Sequence, residues 1–121
     1  MGIEPALAKY NNLLINYKTL WPSCEYSDIN YIKYRKGLLL LHERKYKHAM
    51  EIFKQVSNTE LQSETNYYIG TIYSILGNFE EATIFFCKSI EAKTSLKFVT
   101  QSYYEKFVLM FKKNDFYGIQ H

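Results

Sequence analysis

Residues 70–86 read GTIYSILGNFEEATIFF, and residues 37–53 read GLLLLHERKYKHAMEIF. In both stretches a glycine is followed 12 positions later by an alanine, and that alanine is followed four positions later by a phenylalanine. The two stretches are 33 positions apart. A period of about 20–50 residues is typical of a stacked array of small structural units. The repeat therefore predicts a surface that binds another molecule rather than a catalytic cleft.

The composition agrees with one folded domain. The chain has 121 residues, of which 47% are apolar and 22% are charged, and these values are ordinary for globular proteins. The net charge is +3, with lysines and glutamates interspersed, so no nucleic-acid partner is expected. The longest apolar run, residues 38–41, is too short to span a membrane. The content of aromatic residues is unusually high, with 12 tyrosines and 8 phenylalanines.

Apolar residues recur at helical spacing along the chain. We predict six helices, at about residues 5–19, 28–42, 46–56, 60–76, 79–92 and 95–113. Trp21 to Cys24, which include Pro22, break the pattern after the first helix. Gly77 and Asn78 supply a short turn between the fourth and fifth helices, because both residue types tolerate left-handed backbone angles.

Polar residues mark several predicted helix ends. Ser27 or Asp28 is suited to cap the second helix. Residues 57–60 and 59–62 both read as capping boxes before the fourth helix. Asn114 and Asp115 indicate a turn after the sixth helix.

The paired helices and their period are similar to the tetratricopeptide repeat. In that family, small residues stand where the two helices of a pair approach closely, and aromatic residues fill the neighbouring space. The residues that carry these packing roles here are Gly37, Ala49, Phe53, Gly70, Tyr73, Gly77, Ala82 and Phe86. The resemblance is closest over residues 63–92 and looser over residues 30–58.

This resemblance implies an all-α fold, a short solenoid of antiparallel helix pairs with about six helices. We expect residues 1–121 to form a single domain. Its predicted parts are a flanking helix at residues 1–20, repeats at 28–58 and 60–92, and a capping helix or partial repeat at 95–121.

In the family, the first helix of each pair lines a groove that holds a peptide or a helix of a partner. The corresponding candidates here are Tyr31, Tyr34, Leu38, Leu41, Tyr67, Thr71, Ser74, Phe98 and Gln101. One subfamily binds the C-terminal carboxylate of chaperones with Lys, Arg and Asn. The matching positions here are Tyr34, Leu38, Tyr68, Phe98 and Ser102. None of these is Lys, Arg or Asn, so a chaperone-tail clamp is not expected.

The sequence offers no catalytic constellation. It has no Gly-rich phosphate loop and no HExxH motif. His42 and His48 are six positions apart, which places them on different helix faces or across a turn rather than at one metal. Cys24 and Cys87 lack CxxC spacing and are read as free thiols of an intracellular, cytoplasmic protein. We therefore expect no enzyme activity, no cofactor and no metal.

Three functions follow from this reading. The first is a protein interaction module or small scaffold subunit that binds a peptide or helix through an aromatic concave surface. The second is a homo-oligomer that self-associates through the sixth helix or the N-terminal helix, with Phe107, Met110, Phe111 and Phe116 grouped near the end of the chain. The third is a fragment of a peptide-sensing or oxidase-activating regulator, since related repeats occur in both.

Overall fold

The structure is a computed structural model that describes residues 3–20, 26–57 and 59–118. These residues form six α-helices and one 3₁₀ turn, and no strand occurs among them. The helices are α1 (Ile3–Leu20), α2 (Tyr26–His42), α3 (Tyr46–Lys54), α4 (Gln62–Ile75), α5 (Phe79–Ala92) and α6 (Leu96–Gly118). The all-α prediction is confirmed.

The chain divides into two compact units, Met1–Leu61 and Gln62–His121. In the first unit α1 packs on α2, and α2 packs on α3. In the second unit α4 packs on α5, and α6 packs on both α5 and α4. The expectation of a single domain over all residues stays a prediction.

Glycines set the close approach of the paired helices in each unit. A Cβ atom added to Gly37 would lie 2.6 Å from the ring of Phe53, and one added to Gly70 would lie 2.9 Å from the ring of Phe86. Both distances are shorter than a normal van der Waals contact between carbon atoms. Only a residue without a side chain therefore lets each phenylalanine pack against the backbone of the facing helix.

The core of the first unit lies between α2 and α3. Ala49 and Phe53 of α3 are buried, and the ring of Phe53 lies 6.2 Å from the ring of Tyr34 on α2. Burial of such aromatic side chains supplies most of the favourable free energy of a small core. The Arg35 guanidinium donates a hydrogen bond to the Tyr10 hydroxyl of α1, and this bond raises the pKa of Arg35 above its ordinary value.

The core of the second unit joins all three of its helices. Ala82 and Phe86 of α5 and Leu109 of α6 form a buried cluster, and Tyr67 and Tyr73 of α4 pack against it. On α4, Ile69 and Ile72 are also buried. Leu76 directly follows α4 and does not belong to this cluster. It is 41% exposed because α4 ends at Ile75 and the chain turns away there.

Both helix pairs turn through the same backbone hydrogen bonds. After α2, the N–H of Arg44 donates to Leu41 and the N–H of Lys45 donates to Leu40. After α4, the N–H of Gly77 donates to Ser74 and that of Asn78 to Tyr73. This is the Schellman pattern, which requires one left-handed residue. That residue is Arg44, with φ of 63°, in the first turn and Gly77, with φ of 84°, in the second.

Several helix ends differ from the predicted ones. α2 begins at Tyr26, so Ser27 and Asp28 lie inside its first turn. Thr59–Leu61 form a 3₁₀ turn, and α4 begins only at Gln62. α3 ends at Lys54, two residues before the predicted end, because the N–H groups of Gln55 and Val56 make short-range bonds to Ile52 and Phe53. The break predicted at residues 21–24 lies outside the described residues.

α6 is longer than expected. It continues through Asn114 and Asp115 to Gly118, so the turn predicted at these two residues is wrong. No proline or glycine interrupts residues 96–117. Asn and Asp lower helix stability by only about 0.7 kcal/mol relative to Ala, so they do not end a helix by themselves.

Candidate partner-binding surface

Three aromatic rings from α4 and α6 meet on one face of the second unit. The ring of Tyr67 lies 5.2 Å from that of Tyr68 and 5.4 Å from that of Phe98, while Tyr68 and Phe98 are 5.5 Å apart. All three side chains are half-buried. These distances lie in the range of favourable edge-on and tilted ring contacts. The three rings thus form a supported surface with part of each ring still open to solvent.

The spacing along the two helices explains why these side chains meet. Tyr67 and Thr71 are one helical turn apart on α4, and the Thr71 hydroxyl donates to the Tyr67 carbonyl oxygen at 2.9 Å. Phe98, Gln101 and Glu105 are separated by three and four positions on α6. Residues at such spacing share one face of a helix. The α4 face and the α6 face meet because α6 packs directly on α4.

Polar groups border this aromatic surface. The side-chain amide of Gln101 donates to the Glu105 carboxylate at 3.4 Å. Burial raises the pKa of the Tyr67 hydroxyl, and the negative charge of Glu105 raises it further, while hydrogen bonds with Thr71 and Gln101 act in the opposite direction. A neutral tyrosine hydroxyl therefore stands beside an amide and a carboxylate. Such a set can bind an apolar side chain, a backbone amide and a basic group together.

The predicted groove residues of the second unit are found at this surface or next to it. Tyr67, Thr71, Phe98 and Gln101 are brought together as described. Ser74 lies one turn beyond Thr71, and its carbonyl oxygen accepts the N–H of Gly77. We refer to the surface made by Tyr67, Tyr68, Phe98, Gln101 and Glu105 as the α4–α6 face.

The predicted groove residues of the first unit are less available. Tyr34 is 8% exposed and packs on Phe53, so it contributes mainly to the core of that unit. Tyr31 is exposed, and its ring lies 6.3 Å from the ring of Tyr34. Leu38 and Leu41 are half-buried on α2.

Sequence reasoning missed a buried hydroxyl network behind the α4–α6 face. Ser63 and Ser89 each donate their side-chain hydroxyl to the other's carbonyl oxygen, at 2.8 and 2.7 Å. The hydroxyl of Ser102 donates to that of Ser89 at 2.8 Å. The backbone N–H of Thr94 donates to the Ser63 hydroxyl, and the Thr94 hydroxyl accepts the backbone N–H of Ser63, both at 2.9 Å. All three serines are fully buried.

This network fixes how α6 lies against the helix pair. It joins the start of α4 to the end of α5 and to the second turn of α6. Across the described residues, every buried side-chain nitrogen or oxygen has a hydrogen-bond partner. The only sequence signal was the placement of small polar residues on otherwise apolar inner faces, which alone does not say whether they meet.

The residues considered for chemistry are dispersed. His42 and His48 are exposed, and Cys87 is a half-buried free thiol. In the described parts of the chain no group of three or more His, Cys, Asp or Glu residues could hold a metal ion. Over the same residues, no helix combines the length and the apolar character needed to cross a membrane.

The tetratricopeptide repeat family model matches residues 63–95. This segment contains α4, α5 and the Ser63–Ser89 pair. It is a tetratricopeptide repeat, and the predicted resemblance is confirmed there. No curated protein and no solved structure matches the chain significantly.

Proposed function

We propose that this chain is a non-catalytic protein interaction module that binds a peptide or a helix of a partner through the α4–α6 face. The tetratricopeptide repeat at residues 63–95 supports a protein partner, since such repeats are generally interaction modules without catalysis. One observation carries the proposal for the site. Four predicted groove residues from the two helices, Tyr67, Thr71, Phe98 and Gln101, lie at a single surface.

The chemistry of the surface suits a mixed ligand. Tyrosine and phenylalanine present large, rigid areas that lose little conformational entropy on binding. The Gln101 amide and the Glu105 carboxylate lie beside the rings and can orient a backbone amide or a basic side chain. We therefore expect a ligand segment with an apolar or aromatic residue next to a Lys or Arg.

The test is a selection from a phage-displayed library of random peptides, using the full chain as target. Binding of the enriched peptides is then compared by fluorescence anisotropy for Gln101→Ala, Glu105→Gln and wild type. Both residues contribute at the border of the rings, so these changes leave the aromatic packing in place. We expect affinity losses of about 5- to 30-fold, the usual range for interface residues that are not the dominant anchors.

A control outside this surface is available on α5. Ile84 is an exposed apolar residue of that helix, so Ile84→Ala removes a side chain that belongs to neither α4 nor α6. The enriched peptides should bind this variant like wild type. Peptides that are insensitive to Gln101→Ala and Glu105→Gln, or a selection that enriches no binding peptide, would contradict the proposal.

A further inference from the structure

α6 is apolar on two sides. Its inner side faces α5 and α4, where Ser102 and Leu109 are buried and Phe98 is half-buried. Its other side carries large apolar residues that are 53–82% exposed. We call this set the outer stripe: Leu96, Tyr103, Tyr104, Phe107, Met110 and Phe111. A helix buries an apolar stripe against a neighbouring element, so a second apolar stripe favours a second neighbour.

The outer stripe is continuous along the helix. Successive members are seven, one, three, three and one positions apart, and all of them fall within an arc of roughly 120° at 3.6 residues per turn. Phe107 and Phe111 already stack edge to face, with ring centroids 4.8 Å apart. Aromatic side chains bury about 150–250 Å² each, so half-exposed ones leave an open apolar area of order 500 Å² in total here. Patches of this size mark interaction sites.

A further helix of the repeat type does not fit there at the usual distance. In the second unit, α5 approaches α4 at Gly70, where a Cβ atom would lie 2.9 Å from Phe86. One period of 33 residues beyond Gly70 is Tyr103, which belongs to the outer stripe. A tyrosine side chain holds a facing helix several ångströms further away than a glycine does. The occupant must therefore pack on large side chains, as ridges of one helix pack between those of another.

The charges beside the outer stripe indicate which occupant fits. Lys97 is exposed beyond one edge, with its ammonium group 5.5 Å from the Phe98 ring, and Lys106 is half-buried beyond the other edge. Lys112 is exposed further round the helix, with its ammonium group 5.7 Å from the Phe79 ring of α5. Among α6 side chains that the structure describes, the one acidic residue is Glu105, which is hydrogen-bonded to Gln101 on the α4–α6 face. A second copy of this chain would place lysines against lysines. A helix with acidic residues flanking an apolar row would instead meet opposite charges on both edges.

We propose that the outer stripe of α6 is a second docking surface, and that it takes an amphipathic helix of a partner protein whose apolar row is bordered by Asp and Glu. The proposal deepens the proposed function of an interaction module and rests on it. It concerns a different face of α6, so the two can fail separately.

The test uses a designed amphipathic peptide of about 21 residues, or three heptads, with Leu in the apolar row and Glu on both flanks. Its twin carries Lys in place of every flanking Glu. Binding of each labelled peptide to the full chain is followed by fluorescence anisotropy at low and high salt. The Glu peptide should bind at least about ten-fold more tightly than the Lys twin, and salt should weaken it, because attraction between exposed charges is screened.

Two variants locate the site. Phe107→Ser removes the central ring of the outer stripe and should weaken the Glu peptide by about ten-fold or more, as expected for a central aromatic anchor. Ile84→Ser makes a similar change at an exposed apolar residue of α5 and should have no effect. Both positions are solvent-exposed, so unchanged circular dichroism spectra and melting curves serve to verify that the variants fold.

Three results would overturn the proposal. The first is equal or absent binding of the two peptides. The second is a dimer in light scattering that Phe107→Ser converts to a monomer, which would make a second copy the occupant. The third is binding that Gln101→Ala weakens and Phe107→Ser does not, which would place the peptide on the α4–α6 face and support the proposed function alone.

Discussion

The two copies of the repeat share one backbone arrangement but differ in many side chains. The first copy comprises residues 30–58 and the second residues 63–95. In both, a phenylalanine packs under a glycine, and a tyrosine stacks on that phenylalanine: Tyr34 on Phe53 at 6.2 Å and Tyr67 on Phe86 at 5.9 Å. Both turns close with the same Schellman bonds. The arrangement is thus set by a few small and aromatic positions, and it tolerates change elsewhere.

The two copies differ at the ends of their helices. Asn30 and Ser63 occupy the same place in the period, but the Asn30 side chain accepts the backbone N–H of Ser57, whereas Ser63 joins the buried network with Ser89 and Ser102. The second helix of the pair has 9 residues in the first copy and 14 in the second. The family model matches the second copy, in which glycine occupies the left-handed position of the turn.

The largest expected effect comes from replacing the buried phenylalanine that both copies share. Phe53→Ala and Phe86→Ala each leave a cavity beneath a glycine, and we expect each to destabilise its own unit by about 3–5 kcal/mol. The loss should be greater for Phe86, because its cluster includes Leu109 of α6 as well as α4 residues. Hydrogen exchange measured peptide by peptide gives the opening free energy of each unit separately.

The control for this prediction is Ile84→Ala, since Ile84 is exposed on the same helix as Phe86. It should change the opening free energy of either unit by less than about 0.5 kcal/mol. Equal losses for the two phenylalanine variants would mean that α6 adds nothing to the packing of Phe86.

The second effect concerns the buried hydroxyl network, which we find in the second copy. Ser89→Ala removes the partner of the Ser102 hydroxyl and of the Ser63 carbonyl oxygen, both in a fully buried place. An unpaired buried polar group costs about 1–3 kcal/mol, so urea unfolding should show a loss of that size. Thr100→Ala removes an exposed hydroxyl from α6 and should be nearly neutral. A loss no larger than that of the control would mean that solvent satisfies these groups.

The repeat made the fold predictable from the sequence. The fixed spacing of glycine, alanine and phenylalanine indicates two helices in close contact, because small residues are needed where the helices approach. The helix pairs and the turns between them were therefore predicted. The helix ends were predicted less accurately than the helix pairs. Arg44 adopts the left-handed backbone angle of the first turn, although arginine has no preference for that angle. At Asn114 the local polar signal was outweighed by the uninterrupted helical context of α6.

The candidate site was predictable in part. Tyr67 and Phe98 were selected because first helices of such pairs line the groove, and the structure brings their rings to 5.4 Å. Tyr34 occupies the same place in the period as Tyr67 but is buried. The serine network was not foreseen, because it depends on the packing of α6 against two other helices.

A smaller effect sharpens the comparison of the two turns. Arg44 has φ of 63°, and the left-handed conformation costs a residue with a side chain about 1–2 kcal/mol. Glycine removes that strain but has more freedom in the unfolded chain, so Arg44→Gly should stabilise the first unit by about 0.5–1 kcal/mol. Gly77→Ala should destabilise the second unit by about 1 kcal/mol through strain alone. An added Cβ there meets nothing within 4 Å.

Thermal unfolding of both turn variants, with hydrogen exchange to assign each change to a unit, measures these effects. Glu51→Gly, at an exposed position in the middle of α3, is the matched control. It should be destabilising, because glycine in a helix interior costs about 1 kcal/mol. Opposite signs for Arg44→Gly and Glu51→Gly would locate the gain at the left-handed angle. A destabilised Arg44→Gly variant would show that the arginine side chain contributes more than its strain removes.

The smallest expected effect concerns the titration of the Tyr67 hydroxyl. Burial, and then the charge of Glu105, raises the pKa of the Tyr67 hydroxyl above its ordinary value of about 10. The folded state therefore favours the neutral hydroxyl. This stabilisation is fully present below about pH 10 and is lost as pH rises through the raised pKa of the folded state. Wild type should consequently lose stability more steeply than Tyr67→Phe in alkaline solution.

Urea unfolding between about pH 8 and about pH 11 measures this difference, because the two curves should run parallel at the lower pH values and converge or cross above about pH 10. In Glu105→Gln the negative charge is absent, so the pKa of Tyr67 should be raised less and the extra loss should be smaller. A Tyr67→Phe curve parallel to that of wild type throughout would mean that the hydroxyl remains hydrated, and that the α4–α6 face is more open than its packing indicates.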